Sequence, residues 1–378
     1  MALTISPVGS AADRRAFVDL PWTLYANDPN WRPPLKDEVH ALISGPKRNP
    51  WFLHGRAAFF LARRGGQVIG RISAQVCDLV QQKRPGLGQW GLFESVDEAE
   101  VAGQLIATAE AWLREQGMTQ AQGPISISYW DEPGLLVEGF DTPPKVMMGH
   151  HLPYYAGHIE AAGYAGVKDL YAWSVPVRDG FPEIVNRIVA AGERNSRIRI
   201  RNVDLDRFDS EARIILEILN EAWSDNWGFV PLTDAEVEHV GKKLKPIVLP
   251  HQVLIAEYEG EPVAFIISIP DLNQLTLDLN GRLLPFGWAK LLWRLRNPQT
   301  LWFRVPLMGV RQKLQATRTA SMLAFMMIEQ VRRTGVSRHG AEWAEIGWIL
   351  EDNGPMISIA EAIGAKITKT YRIFEREL

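Results

Sequence analysis

Leu301-Trp302-Phe303-Arg304-Val305-Pro306-Leu307-Met308-Gly309-Val310, followed by Arg311-Gln312-Lys313-Leu314-Gln315-Ala316-Thr317-Arg318-Thr319-Ala320-Ser321, decides how the chain is read. The first ten residues form an apolar run of strand length, and the next eleven are polar. From Met322 to Arg332 apolar residues recur at helical spacing, with Thr334-Gly335 as the expected stop. A short run through Trp343, Ile346, Trp348 and Ile349 ends at Glu351-Asp352-Asn353-Gly354-Pro355. A second helical pattern runs from Met356 to Ile363 and stops at Gly364. The alternating stretch Lys366 to Phe374 closes the chain. From Gln299 to Glu375 the order is strand, loop, helix, strand, helix, strand. At the first loop-to-helix junction the leading amides lack intrahelical partners and the helix dipole is positive. Gln315, Arg318, Thr319 and Ser321 add donors there, and Ala320 is small enough for close backbone approach. The set suits a pyrophosphate. An ordinary capped helix start satisfies the same pattern.

The same order of elements occurs earlier. Phe59–Arg63 faces Gln67–Ile72 across Arg64-Gly65-Gly66, as His251–Glu257 faces Pro262–Ile267 across Tyr258-Glu259-Gly260-Glu261. A helix from Glu98 to Gln116 ends at Gly117, and Lys168–Trp173 mirrors Lys369–Phe374. The sequence reads as two copies of one α/β unit, 1–180 and 181–378, joined through Arg178-Asp179-Gly180-Phe181-Pro182. At 378 residues the chain is long enough for two domains. The loop entering the first long helix, Phe93 to Glu100, carries four carboxylates, which cap a helix and repel a diphosphate. The corresponding second loop, opening at Val310, carries Arg311, Lys313, Gln315 and Arg318. An anionic ligand is therefore expected at the C-terminal copy.

That layout resembles the GCN5-related N-acetyltransferase (GNAT) fold, whose acyl-CoA loop reads Gln/Arg-x-x-Gly-x-Gly/Ala. Gln315, Arg318 and Ala320 match it, with an arginine where the family has its first glycine. Asn353 matches a family asparagine after the next strand, and Gly364 the glycine ending the next helix. The family's helix tyrosine, a general acid, falls near Ala360 and is missing. The whole chain is similar to a two-copy GNAT-like family of bacterial proteins that includes the bacterial ceramide synthases. The stretches that carry this are Trp348–Asn353 with Lys369–Ile373, and Gly123–Ser126 with Leu136–Asp141 and Tyr154-Tyr155. The resemblance implies an α/β fold of two tandem GNAT-like domains, each a mixed twisted sheet flanked by helices. The N-terminal copy is then degenerate and the C-terminal copy binds acyl-CoA through Val310, Arg311, Gln315, Arg318, Thr319, Ala320, Ser321 and Asn353. It further implies acyl transfer from acyl-CoA to a lipid amine, a sphingoid base. A non-catalytic protein that binds acyl-CoA or lipid on the same fold is the alternative.

N-acyl transfer needs a proton acceptor for the amine. Glu345 lies mid-strand among Trp343, Ile346 and Trp348, where burial raises a carboxyl pKa. His150 and Tyr155 are the candidates from the N-terminal copy, and each fits a structural role equally. Adjacent His150-His151 lacks metal-ligand spacing, so no metal is expected. Tyr129 and Trp130, in a polar and aromatic loop, and Trp223, Trp227 and Phe229, after a predicted helix, are the expected acceptor-pocket residues. Asn27–Pro34 is proline-rich and must wrap as a loop, and the alternating Arg197–Arg201 reads as a solvated edge strand. The insertion 279–298 has four cations, two tryptophans, a phenylalanine and five leucines between Arg282 and Arg296. Such a segment suits a lipid headgroup layer, or equally a helix packed on the protein body. A net charge of −3 excludes a general nucleic-acid binder. One cysteine, no signal-length apolar start and no apolar run of spanning length point to a cytoplasmic protein, and the lipid reading of 279–298 adds peripheral contact at the inner membrane.

Overall fold

The computed structural model describes residues 2–297 and 300–378. Pro298, at the end of the expected insertion, and Gln299, at the start of the expected C-terminal run, lie outside them. In the first half of the sequence the elements are β1 (Leu3–Pro7), α1 (Ala11–Leu24), α2 (Lys36–Leu42), β2 (Gly55–Arg64), β3 (Gln67–Cys77), α3 (Asp78–Lys83), β4 (Leu87–Ser95), α4 (Ala99–Glu115), β5 (Gln120–Gly123), β6 (Leu135–Glu138), α5 (Tyr155–Ala161) and β7 (Ala165–Pro176). After α6 (Glu183–Glu193) come β8 (Ile198–Asn202), α7 (Phe208–Ala222), α8 (Asp234–Leu244), β9 (Val253–Tyr258), β10 (Glu261–Pro270), α9 (Leu272–Thr276), α10 (Gly287–Arg296), β11 (Phe303–Val310), α11 (Arg318–His339), β12 (Trp343–Leu350), α12 (Gly354–Ala362) and β13 (Lys366–Glu377). The two lists repeat one order, with α3, β6, α9 and α10 as additions.

Packing divides the chain into two compact units. Unit 1 holds the residues up to Leu170 with Thr276–Gly287 and Lys369–Leu378; unit 2 holds Tyr171–Leu275 and Trp288–Thr368. The sheet of unit 1 runs β1-β2-β3-β4-β5-β13, and β6 also pairs with β13. That of unit 2 runs β7-β12-β11-β10-β9-β8. Each sheet thus ends on the last strand of the other half of the sequence. In unit 1 the guest strand pairs antiparallel with β5, Phe374 opposite Gly123 and Glu377 opposite Gln120. Its Phe374 is fully buried with Trp90, Leu105, Ile159 and Tyr164.

Local chemistry accounts for most of these elements. In α4, Val101, Leu105, Ala109 and Leu113 form an i, i+4 stripe that is buried against β2 and β3. β3 and β4 are buried along nearly their whole length, so neither alternates between a core and a solvent face, and their polar residues Arg71, Ser73, Gln75, Gln89 and Glu94 are interior. β8 ends the unit 2 sheet as a charged strand: Arg201 pairs with Glu211 at 2.6 Å and with Glu257 at 2.7 Å.

Two local expectations are corrected. α11 does not stop at Gly335; it continues to His339 and ends at Gly340, whose φ of 61° is left-handed. A glycine inside a helix costs only about 1 kcal/mol, and Gly335 is itself buried, continuing the buried face that runs from Leu323 to Val331, which outweighs that. The carboxylates before α4 do not act together as its cap. Glu98, at the cap position, makes no capping hydrogen bond and pairs with Arg64 at 2.8 Å, while Glu94 is interior to β4. Replacing Phe374 by Ala is expected to destabilise unit 1 by about 3–5 kcal/mol, read as a lower urea midpoint; an unchanged midpoint would show that the guest strand is not part of its core.

Candidate active site

Unit 2 positions its polar groups through one parallel strand pair. β11 and β12 are in register at Phe303–Ala344, Arg304–Glu345 and Val305–Ile346. Both strands then run on, to Val310 and Leu350, beyond their paired positions. Two parallel strands that part in this way open a cleft at their carboxyl ends, the usual ligand side of such sheets. Arg304 and Glu345 face each other at the fork, each 2% exposed. Arg304 Nε lies 3.9 Å from Glu345 Oε1, and Arg304 Nη2 donates to the Gly347 carbonyl at 2.7 Å. A charge this deep is tolerable only with partners, and the strand register supplies one.

Beyond β11 the chain reaches the N-terminus of α11 through a braced loop. Arg311 Nη1 pairs with Glu221 at 2.5 Å, and its Nε donates to the Pro262 carbonyl at 3.0 Å. Lys313 pairs with Glu261 at 2.5 Å. Gln315 Nε2 donates to the carbonyls of Val310 (3.0 Å) and Ala222 (3.2 Å). Ala316 is left-handed, at φ 60°, and Thr317 caps the helix by accepting from the Ala320 amide at 3.2 Å. Of the expected cations Arg311 and Lys313 are therefore committed within the unit. Arg318 is exposed and makes no ion pair or hydrogen bond among the described residues. It stands at the first position of α11 beside Thr319, Ala320 and the exposed Ser321. Asn353 caps α12, its Oδ1 accepting from the Met356 amide at 3.2 Å. Ala360, where the resemblance places a tyrosine, is fully buried. Trp223 Nε1 donates to the Met308 carbonyl of β11 at 3.1 Å; in the following loop Trp227 is half-buried and Phe229 buried.

Unit 1 contains a denser polar cluster. Arg71 on β3 stands opposite Glu94 on β4 in register, with Nη2 3.5 Å from Oε1. Tyr25 and Tyr155 donate to Glu94 Oε2 at 2.8 and 2.7 Å. Burial raises the Glu94 carboxyl above its usual range against the pull of Arg71, and burial also lifts both phenols well above theirs. Tyr155, fully buried, further accepts from the Ser95 amide at 3.1 Å. His150, 8% exposed, has Nε2 2.8 Å from Asp28 Oδ2. Burial lowers the His150 pKa, while the bond to Asp28 opposes the shift. Burial alone would raise Asp28; its hydrogen bonds from His150 and the Asn30 amide hold it below the usual carboxylate range. Near neutrality the imidazole is therefore uncharged with its proton on Nε2. Nδ1 then carries the lone pair, and that buried atom has no partner among the described residues. His151 has the same tautomer for a different reason: Nδ1 accepts from the Leu136 amide at 3.0 Å, and Nε2 faces Glu132 at 3.5 Å. Tyr129 donates to Gln122, and Trp130 lies half-buried in the same loop. No group of three or more His, Cys, Asp or Glu side chains arranged to hold a metal occurs among the described residues.

The sequence pattern did not single out Arg304, Arg71, Tyr25 or Asp28, and it assigned Glu94 only to the acidic loop before α4. The signal was present for three of them. Arg304 interrupts Leu301–Val310, Arg71 interrupts Val68–Val76, and Glu94 follows Leu92-Phe93. A lone charge in a strand otherwise buried on both faces needs a partner on the neighbouring strand.

No family model matches the chain. It is similar over its full length to solved GNAT structures. One is a tandem GNAT protein from the clavulanic acid biosynthesis pathway, at TM-score 0.61 and 12% identity, covering 100% of this chain and 98% of that one. A second is the GCN5-related glucosamine N-acetyltransferase region of a fungal multi-domain β-N-acetylglucosaminidase, at TM-score 0.60 and 13% identity, covering 99% of this chain and 38% of that one. The class is thus a tandem GNAT-fold N-acyltransferase. Among curated proteins, "Bacterial ceramide synthase" of Caulobacter vibrioides is 43% identical over 379 residues, covering 100% of this chain and 98% of that one. "Protein YghO" of Escherichia coli K12 is 40% identical over 369 residues, covering 97% of this chain and 93% of that one. The chain belongs to the bacterial ceramide synthase family.

Replacing Asp28 by Asn removes the negative charge that holds the His150 pKa up, so that pKa is expected to fall further. Histidine ring-proton NMR across a pH titration reads it, and an unmoved titration would show that the two side chains do not interact.

Proposed function

We propose that the protein forms an amide by moving a long-chain acyl group from acyl-CoA to the amine of a sphingoid base. The observation that carries this reading is the 43% identity, along the whole chain, to a bacterial ceramide synthase. Unit 2 supports it with an anion-receptive helix start and a buried acid at a strand fork. In this reading the α11 amides and Arg318 take the donor's diphosphate, with Thr319, Ala320 and Ser321 beside it. Arg311 and Gln315 hold the loop in shape, and Val310 and Asn353 frame it. Trp223, Trp227 and Phe229 offer apolar surface.

The amine nitrogen attacks the thioester carbonyl, the C–N bond forms and the C–S bond breaks. Glu345 accepts the proton lost by nitrogen, and the thiolate takes one from solvent. Arg304 holds the Glu345 carboxylate in place. The amine is already a good nucleophile once neutral, so orientation supplies much of the rate. His150, kept neutral by burial and aimed by Asp28, is the alternative to Glu345 as proton acceptor, offered by unit 1. Tyr155 positions Glu94, and Tyr129 and Trp130 are the acceptor contacts of that unit. A lipid acceptor further places the protein at the cytoplasmic face of the inner membrane, in contact through 279–298.

The purified chain incubated with a long-chain acyl-CoA and sphinganine, or its 3-keto form, is expected to release free thiol and yield the N-acyl product by mass spectrometry; absence of product with both acceptors removes the ceramide reading. Glu345→Gln should lower kcat by about 10²–10⁴-fold with little change in the donor KM. Arg318→Ala should weaken the donor by about tenfold or more, since one charge-assisted hydrogen bond is worth roughly 1.5–3 kcal/mol. Equal donor affinity in that variant would move the diphosphate elsewhere.

A further inference from the structure

The insertion exposes large apolar side chains that the acyl-transfer chemistry does not use. In the loop before α10, Leu284 is 80% and Phe286 77% exposed. In the residues that follow, Trp288 is 50% and Trp293 64% exposed. Single exposed apolar residues are ordinary, but four within ten residues are not.

The loop is held at its base within unit 1. Trp22 Nε1 donates to Asn280 Oδ1 at 2.7 Å, and the Lys36 amide donates to the Gly281 carbonyl at 2.9 Å. Asn280 and Gly281 are both left-handed, at φ 46° and 74°. A Cβ on Gly281 would come within 2.6 Å of the Pro34 carbonyl and of the Trp22 ring, so the chain runs tight against α1 and its following loop. Leu284 and Phe286 are thus carried out on an anchored turn.

α10 has its own two faces. Leu291 and Leu295, four residues apart, are buried in unit 2, and Arg294 Nη1 donates to the Leu275 carbonyl at 2.5 Å. At about 100° per residue Trp293 falls on the opposite side of the helix, flanked three residues either way by the exposed Lys290 and Arg296. Arg282, in the loop, is also exposed. Neither Arg282 nor Arg296 makes an ion pair among the described residues. Apolar and indole side chains bordered by exposed cations match an anionic bilayer surface, where aromatics sit at headgroup level and cations meet lipid phosphate. No helix of the described residues is long and apolar enough to cross a membrane, and α10 spans ten residues against about 20 needed.

We infer that Arg282–Arg296 is a membrane anchor through which unit 1 inserts Leu284 and Phe286, and unit 2 inserts Trp293, into anionic lipid. Arg282, Lys290 and Arg296 supply its preference for negative headgroups. The purpose of such an anchor rests on the lipid-amine reading above; its existence does not. The test uses the full chain without acyl-CoA or sphingoid base, sedimented with vesicles of phosphatidylcholine alone or with phosphatidylglycerol added. Cosedimentation is expected with the anionic vesicles, and it should weaken as salt rises. The double variant Leu284→Glu/Phe286→Glu should lose at least tenfold in vesicle affinity. Arg282→Glu/Arg296→Glu should lose the preference for anionic vesicles. Both variants should acylate a detergent-dispersed acceptor at the parent rate, which shows that they are folded. Failure of the parent chain to bind vesicles, or equal binding by the Glu double variant, overturns the anchor. So does a self-association in solution that Leu284→Glu/Phe286→Glu abolishes while vesicle binding is absent. Vesicle binding with no amide formed in detergent would leave the anchor standing and remove the acyl-transfer reading.

Discussion

The pairing of β11 with β12 is the constraint on which unit 2 depends. Three registered positions hold the parallel strands together, and the middle one sets Arg304 against Glu345. Moving two charges out of water costs several kcal/mol for each, so the pair is stable only in this register. A slip of one residue would place Arg304 against Ala344 or Ile346 and leave the two charged side chains on opposite faces of the sheet. The same three positions fix where the strands part, and so where the start of α11 lies relative to the acid. Structural and chemical roles meet here: the ion pair that sets the register holds the carboxylate proposed to accept the amine proton.

Unit 1 uses the same device differently. Arg71 and Glu94 also face each other in register, on the antiparallel strands β3 and β4. Two phenols then close over the carboxylate, so its lone pairs are spent on Tyr25 and Tyr155. The polar atom left without a partner in that cluster is instead His150 Nδ1, which keeps its lone pair because Asp28 holds the opposite edge of the ring. The acidic turn before α4 completes the contrast between the copies. Its carboxylates pair with Arg64 and His158, whereas the loop before α11 leaves Arg318 unpaired.

Much of this was legible because the local rules are strong. Both hairpins read directly from apolar-rich runs facing each other across glycine-bearing turns, and β2–β3 and β9–β10 pair across them. The start of α11 read from Thr317 and its polar run, and Thr317 is the cap. The end of α11 did not, because a glycine is a stop signal only where nothing holds the helix at that point, and Gly335 is itself buried on the face that packs. Glu94 was misplaced because a carboxylate beside a helix start is usually a surface group. Only its neighbours from α1 and α5, distant in sequence, reveal that it is interior.

The sequence by itself determined the order of elements, the doubling of one unit, the cationic second loop and the aromatic–cationic insertion. Each follows from short-range periodicity or composition, which needs no partner to be read. The tertiary structure alone decided which sheet each final strand joins: β13 completes the sheet of unit 1, and β7 from Tyr171 onward that of unit 2. An alternating strand specifies a face, but its backbone donors and acceptors are the same for any open edge. Choice of edge falls to the side chains it meets there, such as Phe374 among Trp90, Leu105 and Ile159, and that complementarity exists only once the chain has folded.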